Sequence, residues 1–133
     1  MAEFDPRNAL QLQAGELADR VEYVPSPQSS LVDEISLGVL FIMAFWSGPS
    51  RQGFHKLISA IAKYDSDGQL RIVVADIDGM QQFHETAHFD AVELGGWGET
   101  FWVKDGKVIS QSGPGVNFEC FEPNTISLLD ETK

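Results

Sequence analysis

Two continuous apolar runs constrain this chain more than any other feature. The segment GVLFIMAF (38–45) has no polar side chain, and LRIVVADID (70–78) is apolar through its centre. A strand with one face in water alternates apolar and polar residues. These two runs do not alternate, so each reads as a strand buried on both faces, the habit of parallel sheets. Parallel neighbours need a crossover connection. RQGFHKLISAIAKY (51–64) supplies one, with Phe54, Leu57, Ile58, Ile61 and Ala62 at the spacing of an amphipathic helix. DSDG (65–68) ends that helix.

The remaining elements follow from weaker signals. Leu10, Ala14, Leu17 and Ala18 predict an N-terminal helix within 6–20, and VEYV (21–24) a short strand. Pro25 and Pro27 punctuate the chain. Ser29 or Ser30 is placed to cap a short helix running to about Ser36, with Leu31, Val32 and Ile35 as its apolar face. A further helix is expected between Gly79 and Phe89. TFWVKDGKVISQ (100–111) reads as a β-hairpin turning at Asp105-Gly106. A last helix opens near Pro123. Alternating strands and helices closed by an antiparallel hairpin make an α/β fold, a central mixed sheet with helices on both faces.

Charge and cysteine content narrow the function. With 20 acidic and 9 basic residues the formal charge is -11, which repels phosphate and argues against nucleic acid and anionic membranes as partners. The one cysteine, Cys120, cannot form an internal disulfide. Between Phe118 and Phe121 it reads as a small core or edge hydrophobe. The N-terminus has neither a basic start nor an apolar run, and the longest apolar run is too short to span a bilayer, so the expected location is cytoplasmic.

The junction of the first buried strand and its helix reads FWSGPS (45–50). With cysteine at Ser47 and Ser50 it would be Trp-Cys-Gly-Pro-Cys. This stretch, the IVVADID strand, the FWVKDGKV hairpin and a following loop glycine, Gly113 or Gly115, occur in the order found in the thioredoxin superfamily. The chain resembles that superfamily from about Val21 to its end, which makes 1–20 an N-terminal helical extension and 21–133 a thioredoxin-like domain. The resemblance implies a thioredoxin-like fold. It also implies a peptide groove flanked by Trp46 and Trp97 and bounded by Ser47, Gly48, Pro49, Ser50 and Gly98.

The chemistry of that family rests on a thiolate at a helix N-terminus, where the backbone N–H groups and the helix dipole lower its pKa. Serine is a poor nucleophile without an adjacent base, and no His or carboxylate follows Ser47 before His55, which reads as a boundary residue on the helix. Two other family features are missing. The buried acid of the central strand falls at Phe41, and the cis-proline ahead of the hairpin falls at Gly98. A laboratory exchange of Cys for Ser would leave that acid and proline in place, so natural loss accounts for the pattern better; an engineered Cys-to-Ser form of a thiol–disulfide oxidoreductase is one alternative. The serines retain a structural use, since Ser47 suits an N-cap bonding the N–H of Ser50 or Arg51, and Pro49 suits the first helical turn.

The expectation is therefore a redox-inactive thioredoxin-like protein, not an enzyme. It needs no cofactor and binds another protein as a chaperone-like, adaptor or assembly factor. Cysteine-free relatives in the superfamily have such roles, some linked to hydrogenase maturation. A second alternative comes from HETAH (84–88). His84 and His88 lie at i and i+4, with Glu85 as a general base, the pattern of a zinc hydrolase. A third ligand has no specific candidate beyond Asp90 and Glu93, and Phe83, Ala87 and Phe89 mark the segment as an ordinary helix. The expectation is that no metal binds there.

Overall fold

The computed structural model describes residues 5–25, 30–79, 97–112 and 117–131. Within them the chain forms α1 (Pro6–Ala14), β1 (Val21–Val24), β2 (Leu37–Met43), α2 (Gly48–Tyr64), β3 (Arg71–Asp76), β4 (Thr100–Lys104), β5 (Lys107–Gln111) and α3 (Phe121–Asp130). The five strands lie in one sheet in the order β1-β3-β2-β4-β5. The strands β1, β3 and β2 are parallel, while β4 is antiparallel to β2 and β5 to β4.

The two apolar runs occupy the centre of the sheet, which explains their composition. Val39, Phe41, Met43, Ile72, Val74 and Trp102 face one side, where Leu10 of α1, Phe54, Leu57 and Ile61 of α2, and Phe121 and Leu128 of α3 cover them. Leu40, Ile42, Val73, Ala75, Phe101 and Val103 face the other side and are covered by Leu31, Val32 and Ile35. In α2 the inward positions near the C-terminus are Ala60 and Ile61, and Ala62 points to solvent. At the hairpin, Asp105 (φ 52°) and Gly106 (φ 75°) both take left-handed backbone, as a two-residue turn of this sequence requires.

Several boundaries differ from those read in the sequence, each for a local reason. The helix expected to run from Ser29 or Ser30 to Ser36 is a single 3₁₀ turn, Val32–Glu34. Its flanking carbonyls serve the hairpin instead: Ser36 O accepts from Asp105 N (2.7 Å) and Ile35 O from Gly106 N (2.9 Å). The strand expected over 70–78 stops at Asp76, whose Oδ1 accepts from Asp78 N (3.0 Å) and turns the chain into a short 3₁₀ segment, Ile77–Gly79. The run 38–45 leaves the sheet after Met43, because Ala44 N–H bonds a serine on α2. Helix α3 begins at Phe121, so Pro123 sits inside its first turn, where a missing N–H costs nothing. The helix expected between Gly79 and Phe89 lies outside the described residues.

Residues 5–20 are fastened to this frame. Leu10 and Ala14 enter the core beneath the sheet. Arg20 donates to the buried carboxylate of Asp65 and to Leu70 O, and Asp65 also accepts from Gln69 N and Leu70 N (both 2.9 Å). Asp65 therefore both closes α2 and ties the N-terminal segment to the entry of β3.

Candidate functional site

Helix α2 starts as its sequence dictates. Ser47 is the N-cap in extended backbone (φ −108°, ψ 125°), and its Oγ accepts from Ser50 N at 3.4 Å. Pro49 lies in the first turn, where its ring fits and its missing N–H is not needed.

Ser50 is different in kind. Its side chain is fully buried. Its Oγ accepts from Ala44 N at 2.9 Å and donates towards Met43 Sδ at 3.5 Å. The hydroxyl satisfies a main-chain N–H that the strand abandons on leaving the sheet, and so joins the end of β2 to the start of α2. A hydroxyl committed in this way is a structural group and not a poised nucleophile.

Gly98 stands across from the loop. Its φ of +90° is closed to proline and strained for any residue with a Cβ. An added Cβ would meet Phe118 at 3.3 Å, Phe41 at 3.6 Å and Pro49 O at 3.6 Å. The loop and Gly98 are thus in close approach, with the Phe118 ring beneath them. Phe41, where the superfamily resemblance places an acid, is fully buried and packs at a tilt against Phe54 with ring centroids 5.4 Å apart. The rim carries the exposed aromatics, Trp46 at 64% and Trp97 at 45% exposure.

Sequence reasoning missed two features here. Glu99 is a buried acid after all, placed at the head of β4 and not in the central strand. Its Oε2 accepts from Trp97 N (3.0 Å) and its carbonyl from Ile42 N (2.9 Å), so it extends the β2–β4 pairing and fixes the backbone that presents Trp97. The only hint was a polar pair, Glu99-Thr100, directly preceding a run of buried residues. The second feature is an open cleft of about 370 Å³ between Pro6, Phe45, Trp46, Asp76 and Asp78. Trp46 Nε1 donates to Asp78 Oδ1 at 3.3 Å, and Tyr23 OH donates to Asp76 Oδ2 at 2.7 Å. Burial, reinforced by the Asp76 carboxylate, pushes the Tyr23 phenol far above its usual range, so it remains a donor.

Of the other sequence candidates, His55 and Cys120 are described. His55 is exposed on α2. Cys120 is partly buried against the core, its Sγ contacts Asn117 O at 3.1 Å, and burial pushes its thiol pKa up, opposite to the shift of a reactive cysteine. His84, Glu85 and His88 lie outside the described residues, as do Gly113 and Gly115. Among the described residues no three His, Cys, Asp or Glu side chains are grouped to hold a metal ion, and no helix is long and apolar enough to cross a membrane.

With this geometry in place, comparison with known proteins identifies the architecture. A chain from a structural study of thiol resolution in yeast mitochondrial 1-Cys peroxiredoxin, via the glutathione/thioredoxin systems, superposes with a TM-score of 0.59 at 20% identity. It covers 83% of this chain and 94% of that one. Oxidized mitochondrial thioredoxin 3 from Saccharomyces cerevisiae gives 0.59 at 18%, covering 84% and 96%. Reduced thioredoxin 2 from Pseudomonas aeruginosa PAO1 gives 0.51 at 18%, covering 83% and 96%. The chain has a thioredoxin-like fold. No family model matches it and no curated protein aligns with it. The likeness to thioredoxin-type chains lends no support to a zinc hydrolase built on residues 84–88.

Proposed function

We propose that this protein binds another protein at the rim of a thioredoxin-like groove and has no disulfide reductase activity. The observation that carries the reading is the state of Ser50. The position of the second cysteine in the resembling motif holds a buried hydroxyl that bonds the Ala44 N–H, so the loop serves architecture. Gly98 and Phe41 support the same reading, because where the resemblance places a cis-proline and a buried acid the chain has a glycine in left-handed backbone and a fully buried aromatic residue. What the frame still presents is Trp46 and Trp97, large rigid side chains of the kind that anchor protein interfaces.

The test is affinity capture from native lysate with quantitative mass spectrometry, repeated with Trp46→Ala and Trp97→Ala. Partners depleted in both variants support the reading; a partner set unchanged in both overturns it.

A further inference from the structure

We propose that the cleft beside Trp46 is a docking site for an arginine side chain presented by an extended segment of the partner protein. The inference rests on the binding reading above and names the chemistry of the occupant.

Three observations converge on a cation. First, the cleft is lined by two carboxylates, Asp76 and Asp78, and by the exposed indole of Trp46, which bonds Asp78. Second, these groups are held by neutral donors. Asp76 takes the Tyr23 hydroxyl on Oδ2 and the Asp78 N–H on Oδ1, and Asp78 takes the Trp46 N–H. Each carboxylate is oriented yet keeps lone pairs for a further donor. Third, among the described residues no lysine or arginine forms an ion pair with either of them. Of the nine lysines and arginines, all but Lys133 are described. Arg20, Lys63 and Arg71 pair with Asp65, Glu122 and Glu22. Lys104 bonds Glu131 O. Arg7, next to Pro6 of the cleft lining, lies over the Tyr23 ring, 5.1 Å from its centroid.

Arginine fits better than lysine. A guanidinium can lie on an indole face while its N–H groups reach carboxylate oxygens, whereas an ammonium offers one compact charge. The net charge of -11 favours approach of a basic segment over an acidic one.

The test uses the full chain and the peptide acetyl-Ala-Ala-Arg-Ala-Ala-amide, with its citrulline counterpart as an uncharged isostere. The readout is the Trp46 indole N–H resonance, assigned with Trp46→Phe. The arginine peptide should shift it saturably with a Kd on the order of 1 mM or tighter. Affinity should fall about tenfold with citrulline, and about threefold or more in Asp76→Asn and in Asp78→Asn, both checked for an unchanged amide spectrum. Equal affinity for the two peptides, or a resonance that the arginine peptide does not move, overturns the inference. In either of those cases the Trp46- and Trp97-dependent capture decides separately whether the rim binds a protein at all.

Discussion

Replacing Ser50 by alanine separates a structural serine from a relic of catalysis. The substitution removes the oxygen that accepts the Ala44 N–H, at 2.9 Å and away from water. A buried donor left without its acceptor costs about 1–3 kcal/mol. The thioether contact at 3.5 Å adds little. Alanine returns about 0.5 kcal/mol through its higher helix propensity. The net expectation is a loss of about 1–2 kcal/mol, a fall of about 3–8 °C in Tm for a domain of this length. Ser47→Ala should cost less, about 0.5–1 kcal/mol, because its cap bond is long at 3.4 Å. Urea unfolding of the two variants beside the wild type measures both. The order matters most: Ser50 above Ser47. A Ser50→Ala protein as stable as wild type, or a larger loss at Ser47, would refute the role assigned to this hydroxyl.

Other expectations follow from the same geometry. Gly98→Pro asks for φ near −65° where the chain holds +90°, so it should cost about 3 kcal/mol or more and fail to restore any thioredoxin-like groove, as thermal unfolding will show. Asp65→Ala leaves Arg20 and two main-chain N–H groups without their acceptor and should cost about 2–4 kcal/mol by urea unfolding. The hydrogen bond from Arg71, with its charge, holds the Glu22 carboxyl below its ordinary value of 4.5 against the opposing effect of burial. The stability this contributes is complete above that value and is lost as pH falls through the lower folded-state pKa. Arg71→Gln should therefore flatten acid destabilisation in that window, and a carboxyl NMR titration should show the Glu22 pKa rise; an unchanged titration would contradict the pairing.

The fold was legible in the sequence where periodicity and burial coincide. Uninterrupted apolar runs announced β2 and β3, the spacing from Phe54 to Ile61 announced α2, and Asp105-Gly106 marked the hairpin. What escaped was set by individual hydrogen bonds that apolar spacing does not encode. Nothing in Ser50 alone says that it will receive the Ala44 N–H, because that bond exists only once the strand leaves the sheet at Met43. Glu99 was missed because a carboxylate is read as solvent-facing unless a partner is visible, and here the partner is a main-chain N–H. The cleft was hidden by reading 70–78 as one strand, which would set Asp76 and Asp78 along a regular edge and not around a turn. Val32 and its neighbours read as a helix because their apolar spacing fits one, yet the hairpin claims the flanking carbonyls.

The most direct test of the account is the reduction of insulin disulfides by the purified protein in the presence of dithiothreitol. The rate should equal that of dithiothreitol alone, since the only sulfhydryl is Cys120, partly buried and with a raised pKa. A rate above that baseline, abolished by Cys120→Ser, would contradict it.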